Sequence, residues 1–112
     1  MLNIPFQTID WTSVAETKHP GKTGEAIWRT LEWPGLRLRL VCYSPGYLAD
    51  HWCRIGHIVY CISGELITEI EHGEIFRLKK GMTYVVSDNQ SVHRSRTEKG
   101  VSLFILDGKF LR

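Results

Sequence analysis

Apolar and polar residues alternate with a period of two along most of this chain. Residues 36–42 are the clearest case, because leucines and a cysteine occupy the even positions and arginines stand between them. This alternation predicts a β-strand with one face on the core and the other in water. The predicted core-facing residues are Leu36, Leu38, Leu40 and Cys42, and the predicted solvent-facing residues are Arg37 and Arg39.

A hairpin is predicted farther along the chain. Residues 66–70 alternate with glutamates on the outer face, and residues 75–79 alternate in the same way, with Phe76 and Leu78 predicted to face inward. The connecting residues 71–74 include Gly73, which can adopt the positive φ that a tight turn requires. The two runs are therefore expected to pair as antiparallel strands, with His72 exposed at the turn.

Further short runs rich in β-branched and aromatic residues complete an all-β pattern. Glycines and prolines separate them at a spacing of roughly ten residues, and the only helical signal is a short turn that Asp10 or Ser13 could cap. This pattern is typical of a single antiparallel sandwich or barrel. The predicted runs are residues 25–33, 47–53, 57–63, 82–87, 91–97 and 101–106.

Length and charge narrow the possible functions. A chain of 112 residues that is 43% hydrophobic suffices for one domain with one core. The net charge of +2 comes from dispersed basic residues, which argues against nucleic-acid binding. Charged residues interrupt every apolar run, so no membrane span is expected. Three cysteines, an odd number, and the absence of a signal-like N-terminal pattern favour a reduced, cytoplasmic protein.

Four residues with metal-binding side chains stand at compatible positions. His51, Cys53 and His57 differ by even numbers, so a strand would place all three on one face, and His93 follows farther along. Imidazole and thiolate are preferred ligands of zinc, iron, nickel and copper. The sequence therefore predicts a site for a divalent transition metal made by His51, Cys53, His57 and His93.

The same residues resemble the motifs of the cupins. Gly46, His51-x-Cys53, His57 and Gly64 match the spacing of the first cupin motif, and Gly81 followed by His93 is similar to the second. The resemblance implies a cupin-type antiparallel β-barrel, jelly-roll-like, over residues 25–112. Residues 1–24 would form a short N-terminal extension that packs on the barrel or on a partner. Cupins are commonly dimers, so the resemblance also implies a homodimer.

The sequence departs from the cupin pattern at two ligand positions. Cys53 stands where the motif has its second histidine, and His57 stands where it has glutamate. The run Asp50-His51-Trp52-Cys53 is similar to a small cupin subgroup named for its DHCW motif. No carboxylate would then bind the metal directly, and Asp50 is expected to form a supporting or dimer-surface hydrogen bond. If Cys53 binds, the coordination sphere is nearly closed; if it does not, three histidines leave an open face.

Three functions remain open at this point. The first is a metal-dependent enzyme acting on a small molecule, and the second is a non-catalytic module that senses or binds a small ligand. The third is a structural metal that clamps two hairpins together. Tyr47, Tyr60, Tyr84 and Phe104 are aromatic candidates for a binding platform, although packing is the commoner role of such residues. A fold of this kind supports many reactions and does not select one.

Overall fold

A computed structural model describes residues 2–112 of the chain. The described residues form eight β-strands and two short 3-10 turns, Trp11–Ser13 and Lys109–Leu111. Within this range, no helix has the length and apolar character needed to cross a bilayer. The strands are β1 (Glu16–Pro20), β2 (Glu25–Trp33), β3 (Leu36–Tyr43), β4 (His57–Ile70), β5 (Ile75–Lys79), β6 (Thr83–Val86), β7 (His93–Arg96) and β8 (Val101–Gly108).

All strand pairs are antiparallel, as the sequence predicted. The pairing path runs β1-β2-β3-β8-β4-β5, and β6 and β7 both pair with β4. Because β1 and β5 stand at the two ends of this path, the hydrogen-bonded ladder does not close into the barrel that the resemblance implied. The reason is that β4 serves as a common partner for four strands, so the strands fold into two connected layers.

A glycine lets β4 serve both layers. The first half of β4 pairs with β6 and β8, and the second half, from Glu65 onward, pairs with β5 and β7. Gly64 stands between the halves with φ of 81°, and the register with β8 shifts between Cys61 and Ser63. A side chain at Gly64 would collide with the backbone oxygen of Gly100. The bend therefore needs a residue without a Cβ.

The core lies between the two layers. Its buried side chains come from the inward positions of β3, β4, β5 and β8. The register explains this set, because directly opposed residues share one face of a sheet, and Val41 opposes Leu103 while Val59 opposes Ile105. The cluster comprises Val41, Val59, Cys61, Leu66, Leu78, Val101, Leu103 and Ile105.

The orientation predicted for β3 is wrong. Arg39 and Val41 are buried on the inner face, whereas Cys42 is exposed and lies 3.4 Å from Ser102 Oγ. The leucines of β3 are only half-buried, on the opposite face. Apolar alternation misleads here because the inner face of β3 carries a buried ion pair and the outer face has an apolar layer of its own.

The residues before β2 contribute to that outer layer. Asp10 caps the first 3-10 turn through Thr12 N, as expected for one of the two predicted caps. The Trp11 ring packs edge-on against Phe104 of β8, with ring centroids 6.2 Å apart. Residues 16–20, within the segment assigned to an N-terminal extension, form β1 and pair with β2.

The remaining element predictions have mixed outcomes. The predicted hairpin is confirmed, since β4 and β5 pair beside a turn at Gly73, whose φ is 102°. Residues 47–53 are not a strand; only isolated bridges form there, at Leu48 and Cys53. Leu78 is buried as predicted, and Phe76 lies on the same face opposite the buried Thr68 but remains 55% exposed.

Candidate metal centre

Three of the four predicted ligands lie together in the structure. Sγ of Cys53 and one ring nitrogen each from His57 and His93 are all within 4.8 Å of one another. Cys53 and His93 face each other because their backbones exchange two hydrogen bonds, of 2.7 and 3.0 Å. His57, at the start of β4, supplies the third side chain from the adjoining layer. The backbone therefore brings the three side chains to one point.

His57 is held by a buried carboxylate. Its Nδ1 lies 3.1 Å from Oδ2 of Asp107, and both side chains are buried. Burial alone would raise the pKa of Asp107, but hydrogen bonds from His57 and Arg37 and the charge of Arg39 hold it well below its usual range. The carboxylate is therefore an acceptor, so Nδ1 of His57 carries the proton. This leaves Nε2 facing Cys53 Sγ at 3.5 Å.

His93 is oriented in the same way by a backbone carbonyl. Its Nδ1 lies 2.9 Å from the carbonyl oxygen of Ser91, which can only accept, so Nδ1 is again the protonated nitrogen. Its Nε2 is buried and has no hydrogen-bond partner among residues 2–112. A buried polar atom without a partner is costly. The Nε2 lone pair of His57 thus faces the thiol, and Nε2 is the unpaired nitrogen of His93 in the same cluster.

The donor set fits a transition metal. Zinc bonds of about 2.0–2.3 Å place tetrahedral ligands about 3.3–3.8 Å apart, and the Cys53–His57 separation of 3.5 Å lies in that range. Burial opposes ionisation of Cys53, but the contacts with His57 and Ile55 and the charge of Arg39 together outweigh it, so the thiol pKa is lowered. Histidines whose other nitrogen is bound to a carboxylate or carbonyl are typical metal ligands. A metal bound here would give the buried Nε2 of His93 the partner that it lacks among residues 2–112.

His51 stands apart from the other three. Its side chain is 72% exposed, and its Nδ1 lies 2.7 Å from Oδ1 of Asp50, whose supporting hydrogen bond the sequence anticipated. His51 nevertheless lines the same cavity as Cys53, His57 and His93. The irregular backbone of residues 47–53 explains the difference, because the strand parity that aligned His51 with Cys53 is absent there.

The side chains of Cys53, His57 and His93 border a cavity of about 220 Å³. Its walls combine apolar side chains with Arg37, Arg39 and Arg94. Burial raises the pKa of Tyr43 and Tyr84, so both stay neutral phenols. Of the aromatic candidates named from sequence, Tyr47 and Tyr84 line this cavity, while Tyr60 is exposed and Phe104 contacts Trp11.

Sequence reasoning missed Asp107 and the buried arginines. Asp107 extends the alternation of Val101, Leu103 and Ile105 by one step, so the parity of β8 alone indicates that it faces inward. Its partners needed the register, which pairs Arg37 with Asp107 across β3 and β8. Arg37 binds both carboxylate oxygens, at 2.9 and 3.0 Å.

Comparison with known proteins identifies the fold. The sequence matches no protein-family model, and no curated protein is significantly similar to it. Among solved structures, a cupin-like protein from Thermotoga maritima is 18% identical with a TM-score of 0.72, covering 83% of this chain and 77% of its own. Ectoine synthase from P. lautus is 19% identical with a TM-score of 0.74, over 92% and 78%.

A third similar structure is that of FeII HppE. It is 12% identical to this chain with a TM-score of 0.75, over 96% of this chain and 62% of that protein. These identities are too low to transfer an activity, but the three matches cover between 83% and 96% of this chain. This chain has the cupin fold.

Proposed function

We propose that the protein binds a divalent transition metal through Cys53, His57 and His93 and uses that site to bind or transform a small molecule. The observation that carries the proposal is the orientation of the two imidazoles. Each has its Nδ1 engaged by an oxygen acceptor, which leaves Nε2 available as a ligand; Nε2 of His57 lies 3.5 Å from Cys53 Sγ, and Nε2 of His93 has no partner among residues 2–112. This arrangement supports zinc, iron, nickel or copper over magnesium, because none of the three ligands is an oxygen donor.

We propose His51 as the fourth ligand. Its side chain borders the same cavity and is free to turn, since it is exposed and held only by Asp50. Turning inward would exchange one hydrogen bond near the surface for a metal bond. Loss of His51 should therefore weaken metal binding less than loss of His57, whose position is fixed by Asp107.

The adjoining cavity supports a small-molecule role. The ligands lie in its wall rather than in a sealed core, so a molecule in the cavity would contact the metal. A bound metal of this type polarises a coordinated oxygen or activates water. The residues of this chain would position the molecule and limit its contact with solvent.

Metal content is the direct test. We would load the purified protein with zinc and with ferrous iron, remove excess metal, and measure bound metal by elemental analysis. One metal per chain is expected, with affinity reduced at least tenfold in His57→Ala and His93→Ala. His72→Ala is the matched control, because His72 is an exposed turn residue outside the cluster. Absence of stoichiometric metal in the loaded protein would overturn the proposal.

Two further readings of the same site can be separated from catalysis. A sensor would bind a small ligand without turnover, and its ligand affinity would depend on the metal. A structural metal would stabilise the fold without any ligand effect, so chelation would lower the melting temperature and leave ligand binding unchanged. Oxygen uptake and ligand titration on loaded and chelated protein distinguish the three.

We also propose that the protein belongs to the DHCW subgroup of cupins and that it forms a homodimer. Supporting the dimer, the outer face of β4 and β6 exposes several apolar side chains, among them Tyr60, Ile62 and Val85, the last of them 68% exposed. Clustered apolar side chains of this kind commonly mark a contact surface. A second copy of the chain is the proposed occupant. Light scattering should give twice the monomer mass, and Val85→Lys should reduce it to that of a monomer.

A further inference from the structure

The cavity beside the metal centre contains an arginine that its protein partners do not saturate. Arg39 is only 5% exposed and lines the cavity. Its Nη2 donates to Oδ2 of Asp107 at 2.9 Å, and its guanidinium carbon lies 4.4 Å from the centroid of the Trp28 ring. Its Nε is buried and has no acceptor in the described part of the chain.

A second unsatisfied donor lies next to the first. The indole Nε1 of Trp28 is also buried without an acceptor among the described residues, and Trp28 lines the same cavity. Buried donors are almost always paired in folded proteins. Because both side chains line the cavity, an acceptor that enters it from outside the chain is the candidate partner for these two donors.

The charge of the cavity favours an anion. Asp107 is shared by Arg37, Arg39 and His57, so one carboxylate faces two guanidinium groups. No acidic side chain lines the cavity in residues 2–112, whereas Arg94, paired with Glu69 outside it, adds a further positive group. Burying uncompensated positive charge is unfavourable. An anionic ligand would remove that cost.

Size and remaining lining narrow the ligand further. The volume of about 220 Å³ is below the ~300–1,000 Å³ of pockets for drug-sized ligands. Beside Arg39 on the same sheet face, Ile105 and Val59 follow in the register, and together with Leu103 they make part of the cavity wall apolar. Planar carboxylates match the fork of a guanidinium, and arginine is the residue that commonly recognises them.

We propose that the cavity binds a small carboxylic acid as its carboxylate, with Arg39 as the principal anchor and Trp28 Nε1 as a second donor. Arg39 and His57 bind the same oxygen of Asp107, so a carboxylate held by Arg39 lies beside the metal centre. This inference deepens the proposed function and rests on it only for the nearby metal, because the anchor itself is independent of metal.

The test compares acids with their neutral amides. Acetate, pyruvate and benzoate are titrated into metal-free and zinc-loaded protein against acetamide, pyruvamide and benzamide, with tryptophan fluorescence or heat as the signal. At least one acid should bind ten times more tightly than its amide in both forms. If no acid binds more tightly than its amide in either form, the proposal is wrong.

Variants assign the effect to Arg39. Arg39→Gln should reduce affinity for that acid at least tenfold, Arg39→Lys should restore part of it, and zinc stoichiometry should not change in either. Arg77→Gln is the matched control, because Arg77 is an exposed arginine paired with Glu65 away from the cavity. Acid binding unaffected by Arg39→Gln overturns the anchor. Loss of zinc binding with acid binding intact would instead contradict the proposed metal site.

Discussion

Nδ1 of His57 and Oδ2 of Asp107 lie 3.1 Å apart at the ends of two paired strands, next to the Ile58–Leu106 pair. This hydrogen bond fixes the ring that faces Cys53. The same carboxylate binds Arg37 and Arg39, so it supports both the proposed metal ligand His57 and the cavity wall. A single buried side chain thus organises this end of the fold.

Replacing Asp107 with asparagine should weaken metal binding and the fold together. Loss of a carboxylate that orients a histidine ligand typically costs about 10–100-fold in metal affinity. Breaking a buried ion pair costs about 3–5 kcal/mol of stability. Titration calorimetry with zinc and urea unfolding of the metal-free protein measure the two effects. Glu65→Gln, which removes the exposed partner of Arg77, should change stability by less than about 1 kcal/mol.

The contribution of Asp107 to stability should disappear in acid. Its pKa is depressed in the folded state, so the charged form favours folding above its ordinary pKa of about 3.9, and this stability is lost as pH falls below that value. The free-energy difference between the metal-free native protein and Asp107→Asn should therefore be largest near pH 7 and shrink between pH 5 and pH 2.5. A difference that stays constant over this range would contradict the assignment.

The cysteines should differ in their response to metal. Zinc should protect Cys53 from alkylation by iodoacetamide, because a coordinated thiolate is not free to react. Cys42 is exposed on the outer face, near Ser102, and should react at the same rate with and without zinc. Cys53→Ser should lower zinc affinity, whereas Cys42→Ser should not. Mass spectrometry measures the extent of alkylation at each thiol. Equal protection of Cys53 and Cys42 by zinc would argue against Cys53 as a ligand.

Gly46 and Gly64 allow the cost of a positive φ to be measured separately from the cost of a steric collision. Gly64 and Gly46 have nearly equal φ values, 81° and 79°, but only at Gly64 would an added Cβ meet backbone atoms. Gly46→Ala should cost about 1 kcal/mol, from the positive φ alone. Gly64→Ala should cost clearly more, because Gly100 would have to move. Comparable unfolding free energies for the two variants would show that the bend in β4 tolerates a side chain.

Core burial gives a prediction for stability that does not depend on whether a metal or ligand binds. Leu103 is almost completely buried between the layers, so Leu103→Ala should destabilise the fold by about 2–5 kcal/mol. Ile75→Ala, at a largely exposed position outside the proposed dimer surface, should change stability by less than about 0.5 kcal/mol. Urea unfolding of both variants checks this. A small effect at Leu103 would mean that the surrounding strands collapse into the space.

The strand pattern was readable from sequence, but the direction in which β3 faces was not. Both faces of β3 are covered: Leu38 and Leu40 oppose Leu106 and Phe104 on the outer side, while Arg39 lies inside. The alternation of apolar and polar residues along a strand indicates that its two faces differ. The usual interpretation is that the apolar face lies on the core. That assignment fails where the inner face lines a charged cavity.

The site was predictable to the extent that its chemistry lies in one stretch. Cys53 and His57 were found from spacing, and His93 was found as a further histidine whose position is also similar to the second cupin motif. Asp107 and Arg39 were missed because their partners lie some seventy residues away along the chain and become neighbours only through the register of β3 and β8. His51 was grouped with Cys53 by assuming a strand that the structure lacks.

The backbone bridge between Cys53 and His93 has a thermodynamic consequence. These two residues are 40 positions apart in the sequence, and bringing together the ends of such a loop is entropically unfavourable. Two backbone hydrogen bonds already hold them opposite each other, so the entropy of closing the loop is lost on folding. Small zinc domains that are unordered without metal use binding energy to close their loops. The proposed metal site would be preorganised by comparison, so an ion would bind it without the cost of closing this loop.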